Sequence, residues 1–286
     1  MDPRLGGKIA EGGCAEVYEW GGREQIVKVA KPNTRQGAMK LEYDNTLTAW
    51  EHGLPAARAI EFLELDGRPS IVFERIRGAS LMEKFMHQMI QSAGKDEVGL
   101  HSELVEVTAR LLSQVHSKSN IGLSSQREMM IHTIRYPDYL SPAEKEAVVQ
   151  WLERLPVKNQ VCHGDPNPGN IMYREGEAVF IDWMDASIGN PEADAAEYIV
   201  MIRYAVLPEA LPLEAVRAFD AVREDIVQAF CQEYERLTGI TYEEIQPWIV
   251  PIAARKLCAD AISEEEKGLL LQEIRSRLKS VENYES

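Results

Sequence analysis

The residues best suited to chemistry lie in one stretch, His163 to Asp185, which reads HGDPNPGNIMYREGEAVFIDWMD and holds Asp165, Asn170, Asp182 and Asp185. Such side chains do two kinds of work. A carboxylate presented on a loop can accept a proton, and paired hard oxygen ligands can hold a divalent cation such as magnesium. Their positions follow from the elements between them. Ile171-Met172-Tyr173 and Ala178-Val179-Phe180-Ile181 alternate as strands do, and Glu175-Gly176 supplies a tight hairpin turn. Asn170 stands just before the first strand and Asp182 just after the second. Antiparallel pairing therefore brings their oxygens to one edge. Asp165 lies in a loop with two prolines and two glycines, too rich in breakers for a helix.

The pattern H-G-D-x-x-x-x-N followed by I-D-W resembles the catalytic loop and metal-binding aspartate of the aminoglycoside phosphotransferase and choline kinase family. The resemblance implies that Asp165 is the catalytic base and that Asn170 and Asp182 bind magnesium. Protein kinases use an H-R-D loop and a D-F-G aspartate for the same chemistry. Here Gly164 replaces that arginine and Trp183 the phenylalanine, which favours the small-molecule branch. In the following D-A-S-I-G-N-P-E-A-D, the resemblance gives Asp194 a supporting role, holding the catalytic loop through the region of His163.

Upstream, the chain reads as strands joined by turns. Leu5 to Ala10 leads into a loop with Gly12 and Gly13, Val17 to Trp20 follows, and Gly21-Gly22 is expected as a two-residue turn before Gln25 to Ala30. Glycine lets backbone N–H groups approach nucleotide phosphates. Lys28 would project opposite to Val27 and Val29. By resemblance it contacts the nucleotide phosphates and is held by Glu42 on the next helix, with Lys31 and Asp44 as alternatives for the pair. A second hairpin with an Asp66-Gly67 turn completes roughly five strands, and Glu74 to Gly78 follows where the family has its hinge. Resemblance places Phe73 beside the base of the nucleotide and assigns adenine recognition to the carbonyl of Glu74 and the N–H of Ile76.

From Ser80 the period changes to that of helices, expected over Leu81–Gln91, Glu103–His116, Ser141 to about Leu155, Leu213–Leu237, Tyr242 to about Ala261 and Glu264–Leu278. Pro247 and Pro251 are expected to break the fifth of these. His116, in the last turn of its helix, reads as a cap. Cys14, Cys162, Cys231 and Cys258 form no metal or disulfide pattern, and no apolar signal or spanning segment occurs, so a cytoplasmic protein without membrane association is expected.

The net charge of −15 disfavours nucleic acid as a partner. It is also uneven, near −1 over residues 1–77 and −14 over residues 78–286. An acidic second part suits a cationic acceptor, with candidate lining acids among Glu192, Glu197, Glu233, Glu235, Asp260, Glu264, Glu265 and Glu266. The expectation is an α+β, two-lobed protein-kinase-like fold, with a nucleotide-binding lobe over 1–77 and a helical catalytic and acceptor-binding lobe over 78–286. Its activity would be transfer of the γ-phosphoryl group of ATP, or GTP, with Mg2+, to a hydroxyl of a small molecule such as an aminoglycoside-like antibiotic. A choline, amino-alcohol or sugar kinase and a nucleotide-binding pseudokinase are the alternatives. Acceptor identity, nucleotide preference and oligomeric state stay open.

Overall fold

The computed structural model describes residues 2–92, 102–136, 138–207, 211–259 and 262–285. Five antiparallel strands, β1 (Leu5–Glu11), β2 (Ala15–Trp20), β3 (Gln25–Ala30), β4 (Ala59–Leu65) and β5 (Arg68–Glu74), form a sheet in the order β1-β2-β3-β5-β4, with helix α1 (Gln36–Glu51) between β3 and β4. The turn between β4 and β5 is tight because Asp66 (φ 49°) and Gly67 (φ 77°) both adopt the left-handed region. The β2–β3 connection is longer than expected. Trp20 pairs with Gln25, so residues 21–24 form the loop, and only Gly21 and Gly22 within it take positive φ. The sheet is apolar on both faces. Val27 and Val29 pack with Trp20, Leu65 and Val72 on one face, whereas Ala30, Ile71 and Phe73 pack with Met39 of α1 on the other.

The remainder is mainly helical: α2 (Leu81–Ser92), α3 (Ser102–His116), α4 (Gln126–Arg135), α5 (Pro142–Arg154), α6 (Pro191–Tyr204), α7 (Leu213–Thr238), α8 (Tyr242–Ile245), α9 (Ile249–Lys256) and α10 (Glu264–Glu285). Short strands β6 (Gln160–Cys162) and β9 (Ser187–Gly189) pair with each other, and β7 (Ile171–Arg174) pairs with β8 (Glu177–Phe180). This is the two-lobed, protein-kinase-like architecture expected. Helix α5 starts at a complete capping box, Ser141 with Glu144. Helix α4 was not anticipated, although its start carries the matching signal, the Ser125 hydroxyl accepting from the Glu128 N–H at 3.4 Å. The segment after Tyr242 is shorter than expected. Pro247 sits in a 3₁₀ turn, Gln246–Trp248, that separates α8 from α9, whereas Pro251 lies in the first turn of α9, where a missing N–H costs nothing. Helix α9 ends at Lys256.

Helix α6 is buried from Pro191 through Ile202. An interior helix must pair every acid it carries. Glu192 takes Lys158, Asp194 takes His116 and Glu197 takes Arg255. No helix among the described residues is long and apolar enough to cross a membrane.

Candidate active site

The β7–β8 hairpin has the expected register, Ile171 opposite Phe180 and Arg174 opposite Glu177, closed by Glu175 (φ 53°) and Gly176 (φ 92°). It brings its two ends together, with the N–H of Ile181 donating to the Asn170 carbonyl at 2.8 Å. Asp182, one residue on, adopts φ 61°, a conformation that a residue with a Cβ takes only under constraint from its surroundings. That constraint comes partly from α1. Asn45 donates its amide to the carbonyls of Trp183 and Met184 at 3.0 and 3.2 Å.

Lys28 on β3 reaches the same place from the sheet. Its ammonium lies 2.7 Å from Glu42 Oε1 and 3.3 Å from Asp182 Oδ2. Burial alone would lower the Lys28 pKa, but attraction by Asp182 and Glu42 outweighs it and holds the ammonium above its ordinary range. Burial pushes the Glu42 carboxyl upward, against the pull of Lys28. Its second oxygen, Oε2, is buried with no hydrogen-bond partner among the described residues. The alternatives for this pair bond elsewhere, Lys31 to Glu11 and Asp44 to Lys40.

Asp165 accepts a hydrogen bond from the Asn170 amide at 2.8 Å. Burial, followed by repulsion from Glu197, Asp182 and Asp185, pushes its carboxyl up to about 6, with Arg255 opposing. Burial likewise raises Asp185. The loop that presents Asp165 is held from behind. Asp194 accepts from the N–H groups of His163 at 2.6 Å and Gly164 at 2.9 Å. The side chain of His163 does a different task. Burial lowers its pKa and so keeps the ring neutral, and it stacks on Phe180 at 4.2 Å. The ring spans the hairpin end, with Nε2 at 3.2 Å from the Ile181 carbonyl while Nδ1 accepts from the Asp165 N–H at 3.3 Å. Gly164 is a steric necessity. It has φ +83°, and a Cβ there would stand 2.3 Å from the Asp185 carbonyl oxygen.

Several contributors were not legible. His116 is no exposed cap: it is buried, its Nε2 lies 3.1 Å from Asp194 Oδ2, and its Nδ1 lies 2.6 Å from the Tyr234 hydroxyl. Arg255 donates to Glu197 at 2.8 Å and to the Gly164 carbonyl at 2.5 Å. A narrow cavity beside it is lined by Met129, Gly164, Asp185, Glu197 and Arg255.

Among the candidate lining acids, Glu192 is tied to Lys158 and Asn190, Glu233 to Arg236, Glu264 to Lys267, Glu266 to Lys256 and Glu197 to Arg255, and the charge of Glu197 bears on Asp165. Asp260 lies outside the described residues.

On the sheet, Gly12 and Gly13 join β1 to β2, and a Cβ on either would meet nothing closer than 4.0 Å. The outer side of that loop is open to a ligand. Phe73 pairs with Ile26 in β5–β3 register, and the side chain of Glu74 accepts from Arg58 N–H and Arg174 at 2.8 and 2.9 Å. Ile76 follows in the irregular link to α2.

The sequence model of the "Phosphotransferase enzyme family" matches residues 9–240. Comparison with curated proteins gives no match. Among solved structures, a thermostable mutant of aminoglycoside phosphotransferase APH(4)-Ia in ternary complex with AMP-PNP and hygromycin B is similar at TM-score 0.62 and 14% identity, over 97% of this chain and 94% of that one. Choline kinase LicA from Streptococcus pneumoniae gives 0.62 and 15%, over 96% and 93%. Aminoglycoside-3'-phosphotransferase of type VIII gives 0.59 and 18%, over 89% and 94%. At these identities the likeness shows the fold.

Proposed function

The chain belongs to the phosphotransferase enzyme family, and on that premise we propose that it transfers the γ-phosphoryl group of ATP, or GTP, to a hydroxyl of a small cationic molecule, with an aminoglycoside-like or amine-bearing alcohol as the leading acceptor class. One observation carries the reading. Lys28 from the sheet and the pair Asp165–Asn170 from the catalytic loop converge on Asp182, so a cation for phosphate, a candidate base and oxygen ligands share one site.

In this mechanism the Lys28 ammonium, kept charged by Glu42 and Asp182, binds and orients the nucleotide phosphates. Asp165, fixed by the Asn170 amide, accepts the proton of the acceptor hydroxyl at its carboxylate. The donor chemistry suits magnesium: Asp182 offers a carboxylate, and Asn170 commits its amide nitrogen to Asp165 and offers its oxygen. Asn170 and Asp182 would hold that ion, which when bound neutralises charge on the phosphoryl oxygens. The nucleotide and antibiotic in the APH(4)-Ia complex support both substrate classes.

Support for a cationic acceptor comes from the carboxylates of Asp165, Asp185 and Glu197, which share the single guanidinium of Arg255. A panel of hydroxylated amines, sugars and antibiotics, assayed for nucleoside diphosphate release with Asp165→Asn as control, tests the proposal. Turnover of an amine-bearing alcohol is expected. Absence of turnover across the panel, or a preference for an anionic acceptor, would overturn it.

A further inference from the structure

We propose that Arg255, far along the chain on helix α9, is the positioning residue of the catalytic loop. The inference rests on the reading of Asp165 as the catalytic base and adds the group that aims it. The loop itself has no arginine, since its second position is Gly164 and a side chain there would run into the backbone of Asp185. A guanidinium arrives instead from outside the loop. Arg255 Nη2 donates to the carbonyl of Gly164 at 2.5 Å and to Glu197 Oε2 at 2.8 Å.

The consequence lies in one peptide unit. The carbonyl of Gly164 and the N–H of Asp165 belong to the same plane. Arg255 holds the carbonyl end, and His163 Nδ1 accepts from the N–H end at 3.3 Å. The peptide before it is fixed as well, because Gly164 N–H donates to Asp194 Oδ1 at 2.9 Å. With both planes held, φ and ψ of Gly164 are set, and with them the place of the Asp165 Cα from which its side chain leaves the backbone. Gly164 has no Cβ of its own to restrict it, so these hydrogen bonds supply the restriction.

The chemistry of the clamp calls for arginine. Its two acceptors lie on different elements, the catalytic loop and α6. One guanidinium nitrogen serves both, held in place by its planar group, whereas an ammonium at the end of a flexible chain is not pre-oriented. Glu197 in turn orients the guanidinium. It lies on α6, the helix that also carries Asp194, so both holds on the loop are anchored to one buried element.

The test compares Arg255→Ala, Arg255→Lys and the charge-balanced Arg255→Met/Glu197→Gln in the full-length protein. The readouts are kcat, KM for nucleotide and acceptor, Mg–nucleotide affinity by calorimetry, and thermal stability. Misaiming a catalytic group by an ångström or so costs on the order of 10²-fold in rate, so kcat of Arg255→Ala should fall by about that factor with nucleotide affinity within a few-fold. Arg255→Lys should be intermediate, and added guanidinium chloride should restore part of the lost rate in Arg255→Ala. The double variant should regain thermal stability and stay slow.

The proposal is overturned if Arg255→Ala keeps wild-type kcat, if its nucleotide affinity falls in step with kcat, or if the double variant recovers activity together with stability. Should the wild type turn over no acceptor, the phosphotransfer reading fails, and amide hydrogen exchange then decides the positioning alone. Faster exchange in Arg255→Ala confined to residues 163–170 supports the clamp, and unchanged exchange there removes it.

Discussion

Lys28 and Asp182 are separated by 154 positions in the chain and by 3.3 Å in space, the lysine on the sheet and the aspartate just past the catalytic hairpin. The contact joins the two parts of the molecule at the place where we propose that a nucleotide's phosphates bind. It also places a cation beside a carboxylate proposed to bind magnesium, so the two charges compensate until a metal–nucleotide complex takes their place.

Asp165→Asn should abolish turnover while leaving Mg–nucleotide affinity within a few-fold. The carboxylate is proposed to act on the acceptor proton, and loss of such a group lowers rate by about 10²–10⁴-fold. Steady-state kinetics on an acceptor from the panel, with calorimetry for the nucleotide, checks both halves.

Asp182→Ala should remove the metal dependence of nucleotide binding, with Asn170→Ala a weaker form of the same defect. Each supplies a proposed oxygen ligand, and the carboxylate carries the charge. Titrations with and without magnesium read this directly. An unchanged magnesium effect in Asp182→Ala would remove that residue from the metal site.

Gly164→Ala should destabilise the fold by at least about 2–3 kcal/mol, because the methyl group meets the Asp185 carbonyl and the backbone stays in the left-handed region. Chemical denaturation measures the loss. A near-neutral result would mean that the loop relaxes away from Asp185.

Acid should expose the Asp194 network. Burial resists ionisation of Asp194, but the hydrogen bond and attraction of His116, with the backbone N–H of His163, prevail and hold its carboxyl below the ordinary value of 3.8. A depressed carboxylate contributes stability that is complete above its unfolded pKa and is lost as pH falls through the lower folded one. His116→Gln removes the largest stabiliser of the ionised form and so moves the folded pKa back toward the unfolded one; the variant should melt lower near neutral pH and lose less melting temperature than the wild type as pH falls below the ordinary carboxylate value. Parallel melting-temperature profiles would show that His116 does not act through Asp194.

What could be read in advance was what neighbours in the chain decide. Asp66-Gly67 and Glu175-Gly176 announce their turns because positive φ is a local demand, and Lys28 declares its face through the alternation around it. Glu42 came from family pattern, and the structure sets it against Lys28. Arg255 gave no such signal. In the last turn of α9 it reads as a favourable partner of the helix dipole, as His116 does on α3, and only packing against α6 turns each toward the catalytic loop. The acidic excess did not name the acids beside Asp165 for a related reason. Charge counts do not say which acids already have partners, and Glu192 had Lys158.

Glu42 and Asn45 stand one turn apart on α1, one gripping Lys28 and the other the backbone after Asp182. In mechanical terms, the segment following Asp182 is therefore held from both sides, by α1 on the sheet and by the helical part, where Trp183 is buried and Gly164 lies against Asp185. A displacement of the sheet would pull on Asp182 and on the loop of Asp165 through this one segment.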